Sequence, residues 1–166
     1  MASVAAVAVA PNWARASTGR VRVLNLYETH SHETYAEAYW VDGAYDPGAM
    51  ARLNHLLRDW RSGELAAIDR RLIDLLHDLQ QAGGGEPLHI ISGYRSPETN
   101  AERAAVNGGV ARNSYHVKGQ AVDLRVPGRS LTGLRDMAVA LAAGGVGFYP
   151  RSDFIHVDTG PVRTWS

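Results

Sequence analysis

Ala121-Val122-Asp123-Leu124-Arg125-Val126 and Phe154-Ile155-His156-Val157-Asp158 are the stretches on which the reading of this chain turns. Both alternate apolar and polar side chains. A strand sends successive side chains to opposite faces, so Val122, Leu124 and Val126 share one face while Asp123 and Arg125 take the other. By the same rule Ile155 and Val157 face a core, and His156 and Asp158 face away from it. If the two strands are antiparallel neighbours, Asp123 and His156 stand about 5 Å apart, close enough for one ion to lie between their tips. His116 precedes Asp123 by seven residues in the turn-rich segment Asn113–Gly119. A loop feeding the strand can curl back and deliver a third ligand. Imidazole and carboxylate bind zinc at about 2.0–2.2 Å, and three protein ligands leave one position for water, the arrangement of a catalytic site. An H-x6-D spacing is a weak signal taken alone.

Outward from this pair, Val21–Tyr27 and Tyr35–Val41 read as strands joined by the polar segment Glu28–Thr34, with a turn at Asp42-Gly43. Asp46-Pro47 opens a helix carrying Met50, Leu53, Leu56, Leu57 and Trp60 at helical spacing. A second amphipathic helix runs from about Asp69 to Ala82 and stops at Gly83-Gly84-Gly85. Leu88–Ser92 is a strand. Ser96-Pro97 starts a short helix that fades at Asn107-Gly108-Gly109. Ser130 caps a helix to about Ala142, and Val146–Tyr149 is one more strand. Helices come early and antiparallel-looking strands late. This order predicts an α+β domain, a small antiparallel sheet with helices packed on one face.

Composition excludes several classes. Cysteine is absent, so disulfides, Cys-type zinc sites and Cys nucleophiles are ruled out. Acidic and basic residues balance at 17 each, which gives no general attraction to nucleic acid. No apolar run reaches the length of a membrane span, and no G-x-S-x-G elbow marks a serine hydrolase. Met1–Pro11 (MASVAAVAVAP) is apolar and small-residued, so residues 1–19 are read as a flexible segment or secretory-signal remnant and residues 20–166 as one domain. Of the remaining histidines, His55 and His77 fall in helical patterns, His89 on a strand, and His30 and His32 in a polar loop. All five read as structural or surface residues.

Three motifs occur in order: Ser92-Gly93-Tyr94-Arg95-Ser96, then Ser114-Tyr115-His116 through Asp123, then Asp153 through Asp158. Together they resemble the M15 zinc peptidases of the hedgehog/DD-peptidase fold. Gly145-Val146-Gly147-Phe148-Tyr149-Pro150-Arg151 and His156-Val157-Asp158-Thr159-Gly160-Pro161 resemble the YcbK-like murein endopeptidase branch. The resemblance implies one zinc ion held by His116, Asp123 and His156. It implies catalytic roles for Arg95 and for Asp153, which stands where many M15 enzymes carry Glu, one methylene longer. It also implies substrate contacts from Arg95, Ser114 and Tyr94. Asp158 is expected to orient a ligand histidine. A regular strand points Asp153 away from His156, so the base role requires a turn at Arg151–Asp153.

The implied activity is hydrolysis of peptide cross-links in peptidoglycan by metal-activated water, in an exported, envelope-located monomer that neither binds nucleic acid nor inserts in membrane. Two alternatives stay open. One is a zinc-binding peptidoglycan-interaction module without hydrolysis; the other is a D-Ala-D-Ala-type carboxypeptidase.

Overall fold

The computed structural model of the chain describes residues 20–106 and 113–166. The signal remnant expected at Met1–Pro11 and the fading of the third helix at Asn107-Gly108-Gly109 lie outside the described residues.

The helix starts follow the capping chemistry. The Asp46 carboxylate accepts from the amide of Ala49 ahead of α1 (Pro47–Leu56), and Asp69 accepts from Arg71 ahead of α2 (Arg70–Ala82). Ser130 does the same for Gly133 at the start of α4 (Leu131–Ala140). Each satisfies an amide that would otherwise lack a partner. Helix α3 spans Pro97–Val106. Trp60, expected on the stripe of α1, lies beyond its end. Asp59 accepts from the amide of Arg61 instead, a local side-chain bond that competes with helix continuation.

The strands are β1 (Val21–Glu28), β2 (Thr34–Val41), β3 (Ala44–Tyr45), β4 (Leu88–Ser92), β5 (Ala121–Arg125), β6 (Gly145–Tyr149), β7 (Phe154–Asp158) and β8 (Arg163–Trp165). They form one eight-stranded sheet in the order β3-β2-β1-β4-β5-β7-β6-β8. The α+β class therefore stands, but the small antiparallel sheet does not. The sheet is mixed: β1 pairs in parallel with β4, and β6 with β8. The first parallel pair follows from connectivity, since α1 and α2 lie between β1–β3 and β4 and carry the chain back to the same end of the sheet. The two strands missing from the sequence reading, β3 and β8, are two and three residues long, too short to show a period.

One sheet face meets the helices. Leu24 and Leu26 of β1, Leu88 and Ile90 of β4, Val122 and Leu124 of β5, and Ile155 and Val157 of β7 join Leu53, Leu72, Leu76 and Leu134 in a single apolar cluster. Each such side chain, fully buried, contributes about 1.5–3 kcal/mol. Among the described residues no helix is long and apolar enough to cross a membrane.

Candidate metal centre and cleft

Strands β5 and β7 are antiparallel neighbours, and Asp123 faces His156 directly across the pair. With their odd-and-even neighbours buried in the core, both side chains emerge on the opposite sheet face. His116 arrives from a 3₁₀ turn over Tyr115–Lys118. Ser114 opens that turn by accepting from the amide of His116, and Gly119 closes it in the left-handed region at φ 64°. A Cβ at Gly119 would stand 2.6 Å from the Ala67 carbonyl oxygen, so both the backbone angle and the space call for glycine. The turn is tied to α2 through Asp69, whose amide donates to the Gly119 carbonyl and whose carboxylate accepts from Gln120 and Thr159.

Three atoms converge. His116 Nε2 lies 3.2 Å from Asp123 Oδ1 and 3.2 Å from His156 Nδ1, and His156 Nδ1 lies 2.9 Å from Asp123 Oδ1. Zinc bonds of about 2.1 Å at tetrahedral angles separate donors by about 3.4 Å, so a few tenths of an ångström of expansion admits the ion. The outer hydrogen bonds prepare the ring nitrogens. His116 Nδ1 is 2.7 Å from the Gly93 carbonyl, which can only accept, so the proton belongs on Nδ1 and Nε2 presents a lone pair. His156 Nε2 donates to Asp158 Oδ2 at 3.0 Å, which leaves Nδ1 for a ligand. With those tautomers set, three lone pairs face one point, an arrangement that calls for a cation.

The electrostatics agree. Burial opposes ionisation of Asp123, yet His116 and His156 outweigh it and hold the carboxyl well below the usual range. Burial pushes His116 down. Burial also opposes charge on His156, but its hydrogen bonds to Asp123 and Asp158 outweigh that and raise it above the ordinary imidazole value. The trio favours one positive charge at its centre, and the donor set of two imidazoles and one carboxylate fits zinc. Among the described residues His116, Asp123 and His156 form the one cluster with this geometry. The other histidines serve elsewhere; His30, for example, stacks on Trp60 at 3.8 Å.

The Ser92–Ser96 motif frames the centre. After a register shift Ser92 pairs with Asp123. A Cβ at Gly93 would sit 2.5 Å from the Leu57 carbonyl oxygen, and the Tyr94 amide donates to that same oxygen. Arg95 is 5% exposed. Its guanidinium donates to Asp123 Oδ2 at 3.4 Å, Ser92 Oγ at 3.3 Å and Asn100 Oδ1 at 3.3 Å. Burial weighs against its charge and Asp123 offsets part of that. Arg95 therefore holds the carboxylate oxygen that the histidines do not use.

The centre opens into a cleft of about 500 Å³. Arg95 and Ser114 line it as expected. Asp153 and Tyr94 do not. Tyr94 packs against the core. Asp153 adopts φ 53° after the 3₁₀ turn Pro150–Ser152, so the turn required at this point exists. Its carboxylate nevertheless accepts from Arg125 and is 67% exposed. Strand β7 begins only at Phe154, and it is Phe154 and His156 that point into the cleft. Sequence reasoning missed the aromatic wall. Tyr149 stacks on Phe154 at 4.7 Å, accepts from Trp165 Nε1 at 2.8 Å, and Trp165 lies 5.2 Å from the His156 ring. It also missed Arg163, which grips Asp158 through both terminal nitrogens at 3.0 and 2.7 Å. The alternation of β6 and β7 could have indicated Phe154; β8 carried no signal.

The chain resembles curated proteins over most of its length. It is 44% identical to Peptidoglycan L,D-endopeptidase MepK of Escherichia coli K12 over 97% of this chain and 89% of that protein. It is 38% identical to the Probable peptidoglycan L,D-endopeptidase MepK of Haemophilus influenzae over 96% and 88%. The Zinc D-Ala-D-Ala carboxypeptidase of Streptomyces albus G is 33% identical over 70% of this chain and 47% of its own length. The family model for Peptidase M15_2, described as Peptidoglycan L,D-endopeptidase MepK, matches residues 16–165. On that match and the two MepK relatives, this chain belongs to the M15 peptidase family, in its MepK branch.

Proposed function

We propose that this chain is a zinc-dependent peptidase that hydrolyses L,D-linked peptide cross-links of peptidoglycan in the cell envelope. The observation that carries the reading is the meeting of His116 Nε2, Asp123 Oδ1 and His156 Nδ1 at one point on a cleft floor, in a chain of this family. The proposal includes the hedgehog/DD-peptidase fold type and export to the envelope, both of which membership of this family supports, and a monomeric state.

His116, Asp123 and His156 are the residues that would hold zinc. Bound there, zinc would supply Lewis acidity toward a carbonyl and a water activated near neutral pH. The rest falls to the chain. Gly93 and Asp158 fix the proton positions on the two imidazoles. Arg95 orients Asp123 through its Oδ2, and places a permanent positive charge beside the site where negative charge develops on the scissile oxygen. Ser114 shapes the rim by capping the turn that carries His116, and Tyr149, Phe154 and Trp165 give the cleft an apolar flank that excludes water from a peptide lying against it. Among the described residues Asp123 is the one carboxylate lining the cleft. Asp153, the expected base, turns its carboxylate to Arg125 and stands outside the cleft lining, and proton transfer is left to solvent water.

The absence of a second cleft carboxylate also favours, as a second reading, a zinc-holding module that binds murein without cutting it. Incubation of purified sacculi with zinc-loaded protein, with products identified by mass, separates the readings. Loss of cross-linked dimers by the wild type and not by H156A supports the endopeptidase. Release of single terminal D-alanine indicates a carboxypeptidase. Binding to sacculi without any product indicates the module.

A further inference from the structure

We infer that Arg103 forms an anion subsite in the cleft, which recognises a free carboxylate on the substrate beside the scissile bond. The inference rests on the L,D-peptidase reading and names the substrate chemistry of that same cleft.

Among the described residues three arginines line the cleft: Arg95, Arg103 and Arg163. Two are committed. Arg95 bonds to Asp123 and Arg163 grips Asp158. Setting Asp123 and Asp158 against the three guanidiniums leaves one positive charge, that of Arg103. Among the described residues Arg103 has no carboxylate within ion-pair distance. The undescribed residues cannot supply one, because residues 1–19 and 107–112 contain neither Asp nor Glu. Its neighbour on α3, Glu102, is exposed and projects about 100° around the helix from it.

The surroundings add to the charge. Arg61 and Arg103 both lie near Arg95, so three guanidiniums repel one another along this flank. Arg95 Nε is buried without a hydrogen-bond partner. An anion at Arg103 relieves the repulsion.

The geometry across the sheet assigns sides. Arg95 follows β4, Asp123 is on β5, His156 on β7, Tyr149 on β6 and Trp165 on β8, the order in which the strands lie. A substrate crossing the centre therefore has Arg95 and Arg103 on one flank and aromatic rings on the other, where the charge of Arg163 is already neutralised by Asp158. An L,D cross-link made through the side chain of a diamino diacid meets this asymmetry. Its D-centre carries the scissile nitrogen and keeps its own carboxyl group on the same carbon. A planar guanidinium binds that carboxylate in bidentate fashion.

The test uses two synthetic L,D-linked peptides that differ only at the D-centre of the diamino diacid, whose adjacent carboxyl is free in one and amidated in the other. Steady-state hydrolysis is measured for wild type, R103Q and R103K. Calorimetric binding of the two matching amine-side products, which need no hydrolysis, is measured in parallel. The wild type is expected to prefer the carboxylate at least tenfold in kcat/KM and in product affinity. R103Q should abolish that preference and R103K should keep part of it. A wild type indifferent to amidation, or an R103Q that retains the preference, overturns the subsite. Cleavage without preference removes the subsite and leaves the peptidase reading intact. Preferential product binding without cleavage of either peptide keeps the subsite and removes the hydrolytic reading. Neither cleavage nor binding overturns the subsite.

Discussion

Replacing Asp158 by Asn changes no shape and should weaken zinc binding through the tautomer of His156. Asp158 is fully buried and every group around it is a donor. Oδ1 accepts from the amides of Gly145 and Gly160 and from Arg163 Nη1, at 3.2, 2.8 and 3.0 Å. Oδ2 accepts from His156 Nε2 and Arg163 Nη2, at 3.0 and 2.7 Å. The two backbone amides cannot turn away, so an Asn side chain keeps its carbonyl oxygen on the Oδ1 side. Its NH₂ then faces His156 Nε2. To accept that bond, the imidazole must move its proton to Nδ1, the atom aimed at His116 and Asp123. Loss of an outer partner of a ligand histidine costs 10–100-fold in metal affinity, about 1.4–2.7 kcal/mol. The same NH₂ also meets Arg163 Nη2, donor against donor. Losing a charge-assisted hydrogen bond costs about 1.5–3 kcal/mol. For a chain of this size that lowers Tm by roughly 3–12 °C. Zinc affinity is measured by competition with a chromogenic chelator, and stability by calorimetry of the metal-free protein. D136N, at an exposed site on α4, is the control and should match the wild type in both. A folded D158N with wild-type zinc affinity would refute the tautomer argument.

Four further outcomes follow from the same geometry. H116A and H156A should bind less than a tenth of an equivalent of zinc by elemental analysis, and should lose the rise in Tm that zinc gives the wild type, which corresponds to about 2.7 kcal/mol at a hundredfold excess over Kd. D153A should keep hydrolysis of sacculi within about threefold of wild type, because an exposed ion pair such as that with Arg125 is worth at most about 1 kcal/mol; a loss of a hundredfold or more would restore Asp153 as the base. G93A should fold poorly or melt several degrees lower in a thermal scan, since its new methyl meets the Leu57 carbonyl and overpacking costs about 1–3 kcal/mol. Finally, burial opposes ionisation of Asp59, but hydrogen bonds from Thr99, Ser96 and Arg61 outweigh it and hold the carboxyl at about 2. A depressed pKa stabilises above the unfolded value of about 3.9 and loses that contribution as pH falls toward 2. Acid unfolding of the wild type should therefore show on the order of 2 kcal/mol across that window that D59N lacks.

The core and the centre of this molecule were legible in the sequence because both are written in alternation. Val122, Leu124, Ile155 and Val157 announced one face, and Asp123 and His156 the other, with no information needed beyond the period of a strand. Helix starts were legible at Asp46, Asp69 and Ser130 because capping is a local contest for a few amides. What was not legible depends on distant segments meeting. The parallel pairing of β1 with β4 is decided by how α1 and α2 return the chain, and no residue in either strand encodes it. Trp165 reaches the cleft on a three-residue edge strand, whose pattern is too brief to read. The direction of the Asp153 side chain was not legible for a related reason. Its spacing from His156 matches the expected base, but spacing does not give direction at a left-handed residue, and the side chain turns to Arg125.

The two faces of β5 and β7 divide the burden of the protein by parity of residue number. Substituting Val122 or Ile155 disturbs the hydrophobic interior and leaves the reactive surface alone, whereas changing Phe154 or its neighbour Tyr149 reshapes the reactive surface and leaves that interior alone. Selection can thus retune which bond is attacked, one rim position at a time, without drawing on the margin that keeps the chain folded. A directed library confined to the rim of the floor should accordingly yield mostly folded variants, and randomising the intervening positions should not.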